Sequence, residues 1–224
     1  MLTLHHLENS RSHRVLWLLE ELELPYEIKR YARDTQTLLA PDELKAIHPL
    51  GKAPILCDEA ACLAESGAIL EYLAERYAQG PLALPKPGTP EHLKLRYWMH
   101  YAEGSAMPPL LLRLVFDRVA RGPMPFFIRP VARAIANGAN KAFIGPQLNL
   151  HLDYMESELS KTEWFAGQTF TIADIQMSFP LEAAEARAGL DGSRPRLMDF
   201  LRRIRERPAY QRAVQRGGPV MSGR

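Results

Sequence analysis

The chain has 224 residues, of which 46% are hydrophobic and 24% are charged, and its formal net charge at pH 7 is +2. This length allows one large domain or two small ones, and either can bury a core without disulfides. No apolar run approaches the roughly 20 residues that a membrane span requires. The weak net charge provides no strong field for nucleic acid. We therefore expect neither a nucleic-acid partner nor a membrane partner.

The first residues, MLTLHHLENS, contain neither the basic region nor the long apolar stretch of a secretory signal. They also lack the arginines of an amphipathic transit peptide. We therefore expect a cytoplasmic location.

The N-terminal residues predict a strand, a helix and a second strand. Residues Leu2 to Leu7 alternate like a short strand, and apolar residues then repeat at helical spacing through SHRVLWLLEELEL. Residues Tyr26 to Tyr31 alternate again. Because a helical crossover joins the two strands, we expect them to be parallel.

The following segments predict a helix, a hairpin and another helix. We expect a short helix from Thr35 to Ile47, strands from Ala53 to Cys57 and from Ala61 to Ala64, and a helix from Ser66 to Tyr77. The order β-α-β-α-β-β-α is typical of a small mixed sheet that is covered by helices.

Cys57 and Cys62 are the two cysteines of the chain, and no metal-binding spacing accompanies them. We expect buried, unreactive thiols and no metal site. The two residues flank CDEAAC, which fits the tip of a hairpin. Cross-strand proximity and a redox role therefore stay open as an alternative.

A proline-rich stretch predicts a boundary between two domains. Pro81, Pro85, Pro87 and Pro90 exclude a helix interior or a central strand. We expect an α/β domain over residues 1–80, a linker over 81–90 and an all-helical domain over 91–224.

The second half of the chain is helical in pattern to its end. Thr171 and Asp174 form a capping box before an apolar run, which predicts the start of a buried helix. The other predicted helices run from about Glu91 to Val119, with a bend near Pro108 and Pro109, from Pro130 to Ser160, from Leu197 to Arg205 and from Pro208 to Gln215.

Arginines are frequent in the C-terminal helices, where they are mixed with Asp191, Asp199 and Glu206. No aromatic residues are interleaved with them as in a base-stacking platform. This pattern predicts a solvated helical face.

Four features occur in a fixed order: a polar loop after the first strand, an Ala-Pro before the third, Glu65-Ser66 at a helix start, and the capping box. In order and spacing, nearly the whole chain resembles the cytosolic glutathione S-transferases, especially bacterial and fungal ones. The most specific stretches are ENSRSHRVLWLLEEL, HPLGKAPIL, LAESGAILEYL and FAGQTFTIADI. The resemblance implies an α/β N-terminal thioredoxin-like domain followed by an all-α C-terminal domain.

Glu65 and Ser66 are the first candidates for glutathione binding. Ser66 can cap the following helix, whose free N–H groups favour an anion, and Glu65 supplies the opposite charge. The resemblance implies that this pair binds the γ-glutamyl ammonium and carboxylate.

Ala53 and Pro54 precede the third strand, where a proline removes no ladder hydrogen bond. The resemblance implies a cis bond between them and a main-chain pairing with the cysteinyl part of glutathione. Lys52 is a candidate for the glycyl carboxylate, with a solvent-facing lysine as the alternative.

The thiol of glutathione is expected at the loop from Asn9 to Ser12. A hydroxyl donor and a helix N-terminus both favour a thiolate. The resemblance aligns Ser10 with the catalytic serine of related classes, while Arg11 and Ser12 are candidates for glutathione contacts. Asn9, Arg11 and Ser12 stay open as alternatives for the thiolate contact.

For the second substrate, a small hydrophobic electrophile, the resemblance implies side chains on the long helix after the linker. The candidates are Tyr97, Tyr101 and Met107, with Trp98 beside them. Aromatic residues and methionine at this spacing also fit a helical core.

The expected activity is a glutathione transferase reaction, in which the thiolate attacks an electrophile. Glutathione is then a co-substrate, and no other cofactor is expected. A glutathione-dependent disulfide or peroxide reductase and a non-catalytic glutathione-binding regulatory protein are the alternatives. The resemblance also implies a homodimer.

Overall fold

A computed structural model describes residues 1–34, 37, 39–59 and 61–221 of the chain. Strands and helices alternate in its first part, and helices follow to the end. The strands are β1 (Leu2–Leu7), β2 (Tyr26–Tyr31), β3 (Ile55–Cys57) and β4 (Cys62–Ala64). The helices are α1 (Ser12–Glu21), α2 (Glu43–Ile47), α3 (Ser66–Tyr77), α4 (Pro90–Tyr101), α5 (Met107–Arg121), α6 (Arg129–Ala139), α7 (Gly145–Leu159), α8 (Ile172–Arg187), α9 (Pro195–Glu206) and α10 (Pro208–Gly217).

The four strands form one mixed sheet in the order β2-β1-β3-β4. Strands β1 and β2 are parallel, as the helical crossover predicted, and β3 is antiparallel to both β1 and β4. Helix α1 is buried along almost its whole length, from Ser12 to Glu20. The small mixed sheet and the helical second half confirm the predicted fold class.

The predicted helix from Thr35 to Ile47 is shorter in the structure, where α2 begins at Glu43. Positions 35, 36 and 38 of that prediction lie outside the described residues.

The expectation that Cys57 and Cys62 are buried, unreactive thiols is wrong. The two residues lie directly opposite each other in the β3–β4 hairpin, with their Cα atoms 4.0 Å apart, and they form a disulfide. Cys62 is exposed and Cys57 is partly buried. The alternative that the hairpin pattern left open, cross-strand proximity of the two cysteines, is therefore confirmed.

The predicted long helix after the linker is interrupted by a wider turn. Helices α4 and α5 are joined by a π-helical turn at Ala102–Ala106, and Pro108 and Pro109 lie in the first turn of α5. A second π-helical turn, Asn140–Ile144, joins α6 to α7, where the sequence predicted one continuous helix. A π-helical turn inserts a residue into the helix without interrupting the series of apolar residues. The spacing of apolar residues alone therefore does not reveal it.

Asp174 organises the start of α8, as the capping box predicted. Its carboxylate accepts hydrogen bonds from the backbone N–H groups of Thr171 at 2.8 Å and Phe165 at 2.9 Å. Burial raises the pKa of Asp174 to about 6, although these hydrogen bonds act in the opposite direction. The fully buried carboxylate therefore connects α8 to the loop that precedes it.

Arginines of the C-terminal helix tie the end of the chain to the first helix. Arg212 and Arg216 contact Glu20 at 2.8 Å and 3.0 Å, and Arg207 contacts Glu21 at 2.6 Å. The sequence predicted a solvated face here. Arg212 and Arg216 are 44% and 45% exposed, and they also form ion pairs with α1, because α10 packs beside α1.

Within the described ranges, no helix has both the length and the apolar character that crossing a bilayer requires.

Replacing Asp174 with alanine is expected to destabilise the fold by about 2–4 kcal/mol, because two buried N–H donors lose their acceptor. Asp153→Ala, which removes an exposed carboxylate paired with Arg194, is the control and should cost less than about 1 kcal/mol. Urea unfolding followed by circular dichroism measures both. Equal losses in the two variants would contradict the role given to Asp174.

Candidate functional site

The register of the sheet brings three sequence-predicted segments to one end of it. His5 of β1 pairs with Ile55, and Ile55 pairs with Ala64 of β4. The end of β1, the residues before β3 and the residues after β4 are therefore neighbours. These are the loop Asn9–Ser12, the segment Lys52–Pro54 and the pair Glu65–Ser66.

Glu65 and Ser66 form the start of α3. Glu65 has a left-handed backbone with φ 70°, and the side chain of Ser66 is buried. The Ser66 hydroxyl accepts a hydrogen bond from Arg14 Nη1 at 3.1 Å and donates to Gln176 Oε1 at 3.4 Å. The positive end of the helix dipole and the buried Arg14 guanidinium together favour an anion at this position.

Ala53 and Pro54 are joined by a cis peptide bond, as the resemblance implied. Pro54 is buried and Ala53 is partly buried, so the backbone of Ala53 lies at the boundary of the site. The side chain of Lys52 is exposed. This segment therefore offers backbone N–H and C=O groups next to the exposed ammonium group of Lys52.

The hydroxyl groups of Ser10 and Ser12 lie 2.7 Å apart in a buried network. Ser10 Oγ donates to the Leu7 carbonyl at 2.8 Å, and it accepts from the Ser12 N–H at 3.2 Å. Ser12 Oγ also lies 2.9 Å from His6 Nδ1. The loop is thus fixed by hydroxyl groups that contact each other and the backbone.

His6 connects this network to the C-terminal helix. Its Nε2 lies 2.9 Å from the Gly217 carbonyl oxygen, which can only accept a hydrogen bond. Nε2 therefore carries the proton, and Nδ1 accepts from the Ser12 hydroxyl. Burial lowers the pKa of His6, in keeping with a neutral ring.

Asn9 forms the turn of the loop with φ 50°, a backbone that asparagine tolerates better than most residues. Arg33 Nη2 donates to its carbonyl oxygen at 3.1 Å. The buried Asn9 Oδ1 has no hydrogen-bond partner within residues 1–34, 37, 39–59 and 61–221. Asn9 therefore leaves one buried acceptor of the loop unpaired within the described residues.

Two arginines of the N-terminal domain share one carboxylate of the helical domain. Arg14 Nη1 contacts Glu103 Oε1 at 2.5 Å, and Arg11 Nε contacts Glu103 Oε2 at 2.9 Å. The Arg14 side chain is 1% exposed and that of Glu103 is 34% exposed. Glu103 lies in the π-helical turn between α4 and α5, which therefore contacts the thiol loop and, through Arg14, the start of α3.

The opposite charges of Arg14, Arg11 and Glu103 favour one another's ionised forms. Burial lowers the pKa of Arg14 to about 10, and the Glu103 carboxylate counteracts that shift. Burial also acts to raise the pKa of Glu103, but Arg14 and Arg11 hold it below its usual value. Both arginine guanidinium groups also lie 5.2 Å from the centre of the Phe179 ring. The network is therefore ionised, and an apolar side chain covers it.

Sequence reasoning did not identify Arg14, Glu103 and Phe179 as parts of the site. The motif SHRVLWLLEEL contains Arg14, and a charged residue at a buried position of a helix was the available signal. Glu103 and Phe179 gave no comparable signal, because their contacts arise where the π-helical turn Ala102–Ala106 and helix α8 lie against α1.

The three candidates for the second-substrate pocket differ in their burial. Tyr101 and Met107 are buried in the core, and the Tyr101 hydroxyl lies 2.6 Å from His151 Nδ1. Tyr97 is half-exposed and stacks against Tyr101. Tyr101 precedes Glu103 by two residues and Met107 follows it by about one helical turn, so both lie close to the arginine network along the chain.

Comparisons with known proteins match the chain to one family. The family model "Glutathione S-transferase, N-terminal domain" matches residues 1–75, and "Glutathione S-transferase, C-terminal domain" matches residues 127–208. Glutathione S-transferase 3 of Schizosaccharomyces pombe is 38% identical over 96% of this chain and 88% of that protein. Glutathione S-transferase 1 of Saccharomyces cerevisiae is 33% identical over 94% of this chain and 92% of that protein. A crystal structure of a glutathione S-transferase from Actinobacillus pleuropneumoniae has a TM-score of 0.78 at 32% identity, covering 99% of this chain and 95% of that one.

Replacing Glu103 with alanine is expected to cost about 2–3 kcal/mol of stability, because it leaves the buried Arg14 charge without its partner. The matched control is Asp117→Ala, which removes a half-exposed partner of Arg113 on α5 and should cost less than about 1 kcal/mol. Urea unfolding compares the two. A loss for Glu103→Ala no larger than that of the control would contradict the importance of the Arg14 pair.

Proposed function

The chain belongs to the glutathione S-transferase family, and on this premise we propose that it binds glutathione at the end of the sheet and uses the thiolate to attack an electrophile. The observation that carries this proposal is the convergence of the loop Asn9–Ser12, the cis Ala53–Pro54 bond and the Glu65–Ser66 pair at one end of the sheet. One extended tripeptide can contact all three segments at once.

The γ-glutamyl group of glutathione carries an ammonium and a carboxylate on one carbon atom. The start of α3 offers N–H groups and the Ser66 hydroxyl to the carboxylate, and Arg14 behind Ser66 adds positive charge. Glu65 offers a carboxylate to the ammonium. We assign the γ-glutamyl group to this pair because its two opposite charges need such a divided environment.

The remaining part of glutathione extends along the other two segments. The backbone of Ala53 pairs with the cysteinyl main chain in this arrangement, and Lys52 reaches the glycyl carboxylate. Arg11 and Ser12 border the peptide on the side of the thiol loop. The cysteinyl sulfur then lies at the N-terminus of α1, where the helix dipole favours a thiolate.

Ser10 is the proposed donor to the thiolate. Its hydroxyl donates to the Leu7 carbonyl in the free protein, and Ser12 Oγ lies 3.0 Å from the same oxygen. Ser10 therefore donates to the thiolate only after its hydroxyl has turned from the Leu7 carbonyl towards sulfur. A hydroxyl that donates to the charged form lowers the pKa of the thiol.

The chemical step forms one bond between sulfur and the electrophilic carbon, and the leaving group departs with its electron pair. The protein contributes ionisation and positioning of the thiol and forms no covalent intermediate itself. A small hydrophobic electrophile fits beside helices α4 and α5, and Tyr97, Tyr101 and Met107 are the proposed contacts. As the family resemblance implies, the proposed active form is a cytoplasmic homodimer.

Ser10→Ala is expected to raise the apparent pKa of the bound thiol by about one unit and to lower kcat roughly tenfold, because it removes a donor to the thiolate. Glutathione affinity should stay nearly unchanged, since the tripeptide keeps its other contacts. The pH dependence of kcat with an aryl halide, together with the thiolate absorbance of bound glutathione, measures these effects.

Ser12→Ala is the matched control, because it removes the neighbouring hydroxyl of the same network. A shift of the thiol pKa in Ser12→Ala and none in Ser10→Ala would reject Ser10 and assign the thiolate contact to Ser12.

Glu65→Gln is expected to weaken glutathione binding by roughly tenfold or more, because the neutral amide no longer balances the γ-glutamyl ammonium. The value of kcat at saturating glutathione should change little, since Glu65 is remote from sulfur. Calorimetry measures the affinity, with Glu75→Gln on the exposed side of α3 as the control. Normal affinity in Glu65→Gln would remove Glu65 from the site.

A further inference from the structure

The segment from the end of α5 to the start of α7 carries positive charge without negative charge. Residues 118–152 contain no Asp and no Glu. The basic residues of this segment, all exposed, are Arg118, Arg121, Arg129, Arg133 and Lys141. The chain as a whole has a formal charge of only +2, so this surface differs strongly from the average.

Large apolar side chains are exposed on the same segment. Phe126 and Phe127, in the turn between α5 and α6, are 80% and 65% exposed, and their rings contact each other edge to face. Val131 and Ile135 on α6 are 58% and 57% exposed. We name residues 118–135 the α5–α6 tip.

The exposed apolar side chains and the basic side chains lie on different flanks of helix α6. Ala132 and Ala136 face the protein, while Val131 and Ile135, one turn apart, lie on one flank of the helix. Arg129 and Arg133, also one turn apart, lie towards the other flank. An exposed helix with an apolar flank, a basic flank and an adjacent pair of phenylalanines has the character of a segment that lies in a membrane interface.

The first residue of the tip, Arg118, interacts electrostatically with Arg33, which donates to the Asn9 carbonyl of the thiol loop, but the phenylalanines lie farther along the chain. Glu103, which contacts the thiol loop, precedes the end of α5 at Arg121 by five helical turns, or about 27 Å along the helix. The exposed phenylalanines lie beyond that end.

We propose that the α5–α6 tip docks onto an anionic lipid bilayer surface. In this arrangement Phe126 and Phe127 enter the boundary between headgroups and acyl chains. The arginines of the tip contact lipid phosphates and carboxylates, each contributing through its charge near the surface. The described residues contain no helix that could cross the bilayer, so the proposed association is peripheral and reversible. The weak net charge of the whole chain did not lead us to expect such a partner.

Charge favours a lipid surface over a second copy of the tip. Two copies of the tip facing each other would bring Arg121, Arg129 and Arg133 close to the same residues of the other copy, with no acidic side chain in residues 118–152 to compensate. A bilayer with anionic lipids supplies many negative charges and an apolar layer beneath them. An anionic bilayer therefore complements both the basic side chains and the exposed apolar side chains of the tip.

Vesicle co-sedimentation of the full chain tests this proposal. The vesicles are phosphatidylcholine alone or phosphatidylcholine mixed with phosphatidylserine, at low and high salt. The wild-type protein is expected to sediment with the phosphatidylserine vesicles at low salt, and to lose most of this binding at high salt or without phosphatidylserine.

The double variant Phe126→Ser, Phe127→Ser is expected to lose at least tenfold in vesicle partitioning, and Arg129→Glu, Arg133→Glu a comparable factor. Leu93→Ser, which removes an exposed apolar side chain of α4 outside the tip, is the matched control and should bind like the wild type. Glutathione conjugation by each variant, together with circular dichroism, verifies that the fold is retained.

Absence of binding to phosphatidylserine vesicles would overturn the proposal, as would equal binding of the phenylalanine double variant. A change of oligomeric state in that variant, measured by light scattering, without vesicle binding by the wild type would instead identify the tip as a contact between protein chains.

Discussion

The candidate site depends on one buried ion pair between the two domains. Arg14 of α1 is almost completely removed from solvent, and Glu103, in the turn between α4 and α5, is its partner. Leaving Arg14 unpaired in this environment would be costly, so the two domains are held in the arrangement that brings Glu103 close. Arg14 also donates to Ser66 at the start of α3. The same guanidinium therefore fixes the domain interface and one wall of the proposed glutathione site.

Two further connections keep the thiol loop in place. Ser12 and His6 link the loop to the C-terminal helix through the carbonyl of Gly217, and Gly217 leaves no room for a side chain, because an added Cβ would lie 2.5 Å from Leu16 Cδ2. The arginines of α10 hold that helix against α1. The C-terminal helix thus supports the loop that we propose for thiolate formation, although it is remote in sequence.

The sequence could predict the local structure and the segments of the site, because these depend on neighbouring residues. Alternation and helical spacing identified the βαβ unit, and Thr171 with Asp174 identified the start of α8 through a short-range capping box. The cis bond before Pro54 followed from the family resemblance. The roles of Ser10, Lys52 and Glu65 in binding glutathione, and the domain boundary in residues 81–90, remain predictions.

What the sequence could not predict arises from long-range packing. Glu103 meets Arg11 and Arg14 only because the π-helical turn Ala102–Ala106 lies against the start of α1, and no local pattern reports such a contact. The disulfide between Cys57 and Cys62 depends on the register of a hairpin, which one residue of slippage would change. The π-helical turns at Ala102–Ala106 and Asn140–Ile144 leave the apolar pattern almost continuous. For Glu103 the deciding information is a neighbour distant in sequence, and for the disulfide and the π-helical turns it is the local backbone register.

The central claim is that one tripeptide binds across three segments at the end of the sheet. Calorimetric titration of the purified protein with glutathione, and with cysteinylglycine as a ligand that lacks the γ-glutamyl group, tests it most directly. We expect saturable binding of glutathione and a large loss of affinity for cysteinylglycine, because the contacts of Glu65 and Ser66 are then absent. No binding of glutathione, or equal binding of the two ligands, would contradict it.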